Sequence, residues 1–134
     1  KQGRDFALLK TIPGIGDILA LTILYEMDSV ERFPRVQDFC SYCRLVKGSV
    51  SSAGKIKGLR GAKLGNPYLR WAFGEAAVIG KRSNVDLNAY GKRLEIHSPK
   101  PVVNAILANK IARSVYFMLK HGKGFDPKLF AKGL

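Results

Sequence analysis

Acidic residues are scarce in this chain: ten Asp and Glu stand against 23 Lys and Arg in 134 residues, for a formal charge of +13. The shortage is most complete between Val46 and Arg70, where there is none. Cysteine is nearly missing as well. Two residues, Cys40 and Cys43, exclude a disulfide framework and are compatible with a reducing cytoplasm. Their Cys-x-x-Cys spacing raises zinc or thiol chemistry, but no second pair exists and neither His97 nor His121 is near in sequence. Both thiols therefore read as core, and no metal is expected in this chain. Long apolar runs are also wanting. The most apolar stretch, Ile12 to Tyr25, is interrupted by Pro13, Gly14, Gly16 and Asp17, so no membrane span or signal peptide is expected. Strand-like alternation is confined at most to Leu45–Val50, and the fold reads as all-α.

What is present is one domain's worth of chain with 46% hydrophobic residues, enough for a real core. Its charge is not spread evenly. Residues 1–38 carry five basic and six acidic side chains, residues 39–75 seven and one, and residues 76–134 eleven and three. The positive surface belongs to the middle and the end. A polyanion is the natural partner, because basic groups on nucleic acid release condensed counterions; a merely solvated basic surface is the alternative.

The run from Val46 to Arg70 concentrates that chemistry: V-K-G-S-V-S-S-A-G-K-I-K-G-L-R-G-A-K-L-G-N-P-Y-L-R, with three serines, five glycines and six basic residues. It is too polar and glycine-rich to build core, so it reads as a surface loop suited to phosphates. Ser49, Ser51 and Ser52 either donate hydrogen bonds to phosphate or include a reactive hydroxyl.

Helical patterns surround it. Asp5–Lys10 reads as a helix end, Ile12-Pro-Gly-Ile-Gly16 as a tight turn, and Asp17–Met27 as a second helix. Helix, Pro-Gly-x-Gly turn and helix resemble the helix-hairpin-helix motif of DNA-binding proteins. Gly14 and Gly16 would bring backbone close to a phosphate, with helix N–H groups and dipole helping. An ordinary αα-hairpin whose glycines only make the turn is the alternative, and Asp17 would repel phosphate. A helix is expected from Pro34 to about Leu45, with Val36, Phe39, Cys40 and Cys43 on one face. Asn66-Pro67 signals the start of the next, to about Lys81, burying Leu69, Ala72, Phe73, Ala76, Ala77 and Gly80. Val85–Ile96 and Val102–His121 complete the set, the last with a core stripe through Val103, Ile106, Leu107, Lys110, Ile111, Val115 and Leu119. Phe125–Leu134 reads as a docking tail.

In order along the chain stand I-P-G-I-G at Ile12–Gly16, R-F at Arg32-Phe33, C-R-L-V at Cys43–Val46 and S-A-G-K at Ser52–Lys55. G-A-K-L-G-N-P-Y-L-R-W-A-F-G-E-A-A follows at Gly61–Ala77, and A-N-K-I-A-R-S-V-Y-F-M-L-K at Ala108–Lys120. This combination resembles the C-terminal domain of the insertion-sequence transposases of the IS one-ten, one-sixteen and nine-oh-two family, over almost the whole chain.

The resemblance implies a DNA recombinase of a bacterial or archaeal cytoplasm, likened to a full-length protein with an N-terminal RuvC-like domain. That domain would carry the DEDD carboxylates and their Mg²⁺. It further implies a guide (bridge) RNA as partner, a homo-oligomer, and a serine nucleophile that maps onto Ser52. The absence of an initiator Met at Lys1 fits the expectation of a fragment. The nucleic-acid contacts expected are Gly14, Gly16, Lys47, Ser51, Gly54, Lys55, Lys57, Arg60, Lys63 and Arg70. The domain divides on this reading into a hairpin part (1–45), a catalytic loop (46–66) and a helical part (67–134). Its runner-up is a non-catalytic helix-hairpin-helix binding module, and an oligomerisation domain with an incidental basic surface is the third.

Overall fold

The computed structural model describes residues 2–45 and 65–131. The described residues form helices and no strand: α1 (Gln2–Leu9), α2 (Asp17–Met27), a 3-10 turn (Val30–Arg32), α3 (Val36–Tyr42), α4 (Pro67–Ser83), α5 (Val85–Glu95), α6 (Lys100–His121) and α7 (Pro127–Ala131). The all-α expectation is met.

The helices begin and end where local chemistry dictates. Asn66 caps α4, its side-chain oxygen accepting from the Leu69 N–H at 3.0 Å, and Pro67 stands where no N–H is needed. Asn84 does the same for α5, accepting from the Leu87 N–H at 3.0 Å. Gly122 closes α6 in the left-handed region, at φ 68°. The third helix is shorter than its sequence pattern suggests. Pro34 lies outside it, because Arg35 is extended (φ −129°, ψ 155°) and its N–H donates to the Asp38 carboxylate at 3.0 Å. That acidic cap starts the helix at Val36. Its far end stops short of Leu45, because Arg44 turns to φ 61°.

Packing centres on α4 and α6, antiparallel neighbours, with α2 and α5 against α4 and α3 against α6. Small residues on α4 make this possible: Ala72, Ala76, Ala77 and Gly80 are all buried. The closest approach is Gly14, at φ 97°, whose missing Cβ would fall 2.6 Å from both the Ala76 carbonyl oxygen and the Gly80 nitrogen. Around Phe39 the aromatic rings of Phe33, Phe73 and Tyr116 gather, with centroids 5.2–6.2 Å from it. The Tyr116 hydroxyl donates to the Phe33 carbonyl at 2.7 Å, so the ring pays no unmet polar cost in the core. Residues from both sides of the 46–64 segment share this core.

Two expectations for α6 need adjustment. Ile106 and Lys110 are half-buried rather than core, and Lys110 lies with its ammonium 5.2 Å from the ring centroids of both Tyr90 and Phe130. By length and composition α6 is apolar enough to cross a membrane. Its apolar side is instead the wall against which α3, α4 and α5 pack. The tail docks: Phe130 is buried against Tyr90.

Candidate functional site

The basic serine-bearing segment leaves the core at Leu45 and returns at Gly65. Its two ends are tied to one another. The Asn66 N–H donates to the Tyr42 carbonyl at 2.6 Å, and the Arg44 side chain lies across Gly65, where any Cβ would collide with it. The outgoing chain is held twice more. The Leu45 N–H donates to the Cys40 carbonyl at 3.1 Å, and the Leu45 carbonyl accepts from the Asn109 side-chain amide of α6 at 3.2 Å. A segment of 19 residues is thereby closed at its base by α3, α4 and α6.

Asn66 carries this closure. It is buried, and its amide donates to Glu26 of α2 at 2.8 Å and to the Tyr42 hydroxyl at 3.4 Å while its oxygen caps α4. Donation from Asn66, and then from Arg32, holds the Tyr42 phenol below its ordinary range. Arg32 in turn sits 5.1 Å from the ring centroids of both Phe33 and Tyr42 and donates to the Met27 carbonyl at 2.7 Å. One asparagine thus links α2, α3 and the start of α4.

Of the residues expected to act, Lys47, Ser49, Ser51, Ser52, Gly54, Lys55, Lys57, Arg60 and Lys63 lie outside the described residues. Arg70 is exposed in the first turn of α4, where the helix dipole disfavours a cation and no acidic residue offsets it. Such a placement suits an anion arriving from outside. Trp71 and Tyr68 are exposed beside it.

The hairpin glycines part company. Gly14 makes its close approach to α4, inside the protein, whereas Gly16 has nothing within 4 Å of its would-be Cβ and caps the start of α2. There Asp17 pairs with Lys10. A shallow depression lined by Pro13, Gly16, Ile18 and Ile79 lies at this end of α2. The turn therefore has a structural reason for its first glycine that owes nothing to a ligand.

Both cysteines are buried and unpaired, and burial is the main cause that raises their thiol pKa values. Neither is poised as a nucleophile. Among the described residues no three His, Cys, Asp or Glu side chains converge as metal ligands. The described residues offer no donor set that fits a divalent ion.

Sequence reasoning missed Arg44 and Asn109 as anchors of this base. Asn109 and Arg113 are separated by four positions on α6, a spacing that puts both on one face, but nothing in the pattern said that this face meets Leu45.

The fold and this base define an all-α domain whose helical core brackets one long, acid-free, basic stretch of sequence. The sequence pattern of the transposase IS116/IS110/IS902 family matches residues 6–92, across that segment and both its anchored ends. The chain belongs to that family, and transposase membership implies DNA as a partner. No curated protein matches it.

Proposed function

We propose that this chain is the strand-transfer domain of a transposase, binding nucleic acid through its basic segment and supplying Ser52 as the nucleophile. The observation that carries the reading is the family match across 6–92, which takes in S-A-G-K at Ser52–Lys55. The tied base at Tyr42 and Asn66 supports it, since a reacting loop needs fixed ends.

In the reaction, the Ser52 hydroxyl oxygen forms a bond to the phosphorus of a DNA phosphodiester as the bond from phosphorus to a sugar oxygen breaks. The serine proton ends on that leaving oxygen, and a phosphoserine ester remains. Attack by the sugar hydroxyl of another strand rejoins DNA and returns Ser52. A serine hydroxyl is weakly nucleophilic, so the charge on the phosphoryl oxygens must be offset. Lys55, Lys57, Arg60 and Lys63 are the groups for that work, with Gly54 leaving room for approach.

On the same reading the DEDD carboxylates and Mg²⁺ belong to a RuvC-like domain of the full-length protein, a guide RNA selects the DNA, and the active species is a homo-oligomer in the cytoplasm. The non-catalytic hairpin module is the weaker reading, since the close approach of Gly14 is used up on α4.

The test is strand exchange by full-length protein with guide RNA and Mg²⁺. Ser52→Ala is expected to abolish exchange and leave DNA and RNA binding largely intact. Undiminished exchange by that variant overturns the nucleophile assignment.

A further inference from the structure

Arg44 lies just past the end of α3, next to the outgoing end of the 46–64 segment, and Arg113 lies on α6, the helix that holds that end through Asn109. Arg44 adopts φ 61°, a left-handed conformation that favours glycine or asparagine over arginine. Its side chain nonetheless reaches across to Gly65 and so spans both ends of the segment. Arg113 is exposed on α6, one turn beyond Asn109, whose amide binds the Leu45 carbonyl. Arg44 thus adjoins Leu45 in the chain, and Arg113 stands one helical turn from the residue that binds the Leu45 carbonyl.

Among the described residues neither Arg44 nor Arg113 takes part in an ion pair with a carboxylate. Between Glu95 and Asp126 the chain has no acidic residue at all. Lys110, three residues before Arg113, adds a second cation to the same side of α6 and is disfavoured in its charged form by burial and by Arg113. Cations kept together without a counter-charge lower their mutual repulsion when an anion lies over them.

We propose that Arg44 and Arg113 form a phosphate clamp at the mouth of the serine-bearing segment, holding the nucleic-acid backbone that flanks the reacting nucleotide. Asn109 acts as a positioning residue, keeping Leu45 against α6 so that the two guanidinium groups share one phosphate track. The proposal rests on the reading of 46–64 as the strand-transfer element. The phosphates belong to DNA or to RNA, and the two are told apart by the probe.

The experiment measures affinity of the chain for a duplex DNA and for a single-stranded RNA oligonucleotide as salt is varied. Each phosphate contact contributes about 0.9 to the slope of log affinity against log salt on duplex DNA and about 0.7 on a single strand. Arg44→Gly relieves the left-handed backbone and should leave the melting temperature unchanged or raised while losing one contact's worth of slope. Arg113→Gln should lose another, Arg113→Lys should restore it, and the double variant should lose about 1.8 on DNA if DNA is the occupant. Loss confined to the RNA probe assigns the clamp to RNA. Arg82, some 24 Å along α4 from Asn66 by helix rise, serves as the control.

An unchanged slope in the double variant overturns the clamp, as does an equal loss from Arg82→Gln, which would mean a diffuse field. A wild-type chain that binds neither probe overturns it too. Full strand exchange by Ser52→Ala, with the slope losses intact, would instead remove the nucleophile and leave the clamp standing.

Discussion

Gly14 packs its backbone directly against that of Gly80, and neither position has room for a side chain. A Cβ at Gly14 would fall 2.6 Å from the Gly80 nitrogen, and one at Gly80 would fall 2.7 Å from the Pro13 carbonyl oxygen. In both cases the nearest atom met is backbone and cannot swing aside. Gly14 adds a φ of 97°, which an L side chain adopts only with strain. Gly14→Ala is therefore expected to destabilise the domain by about 3 kcal/mol or more, combining strain and collision. Gly80→Ala should cost about 2 kcal/mol, by the overpacking that forces helices apart. Gly16→Ala, with open space around it, should cost no more than about 0.5 kcal/mol. Thermal or urea unfolding of the three variants checks the ranking. An equal loss at Gly16 would contradict it.

Asn66 offers a different kind of sensitivity, because one side chain serves three partners. Asn66→Ala removes the cap on α4, strips Glu26 of this donor and leaves Tyr42 with Arg32 alone. The cap alone is worth about 1 kcal/mol, and the stranded partners raise the expected loss to about 2–3 kcal/mol. Asn66→Asp keeps an acceptor for the Leu69 N–H but sets a carboxylate against Glu26. It should be rescued by Glu26→Gln, and a double-mutant cycle measures the coupling. Additive effects would mean that the contact between Asn66 and Glu26 carries no energy.

Alkaline pH should expose the buried thiol of Cys43. Burial raises its pKa far above the ordinary value of 9.0. Above that ordinary value the unfolded chain loses the thiol proton while the folded chain keeps it. The unfolded state then binds fewer protons, so stability falls as pH rises, by about 1.4 kcal/mol per pH unit from this one group. Cys43→Ala should flatten that part of the profile, at the expense of a small cavity. Unfolding midpoints from pH 8 upward, on the order of one unit apart, give the comparison. A wild-type profile no steeper than that of Cys43→Ala would contradict the assignment.

Much of this architecture was legible because its signals are local. Asn66-Pro67 announced α4, Gly122 announced the end of α6, and the six positions assigned to the buried face of α4 are all buried. Where the reading of α3 slipped, the cause was also local but two-fold: Pro34 looked like a first helical residue, while the Asp38 carboxylate took the Arg35 N–H and set the start two residues later. Gly14 was read as a place for a ligand to come close. What comes close is α4, a tertiary contact that a turn motif does not encode. The base of the serine-bearing segment was illegible for the same reason. Asn109 meets Leu45 across 64 positions of sequence, and the Tyr42 carbonyl meets the Asn66 N–H across the whole segment. The serines and lysines within 46–64 rest on sequence and family alone.

Those lysines supply the last test. Lys55, Lys57, Arg60 and Lys63 follow Ser52 without an intervening acid, and the family match includes all of them. If they line a DNA backbone, changing all four to Gln should lower the salt slope on duplex DNA by about 3–4, since each released counterion contributes about 0.9. Affinity at low salt should fall steeply, and the difference from wild type should shrink as salt rises. Stability should hardly move, because a stretch so rich in glycine, serine and lysine is too polar to build core. Salt titrations paired with thermal melts separate the outcomes. An unchanged slope with an unchanged melt would mean that these cations face water, and the oligomerisation reading of the basic surface would gain accordingly.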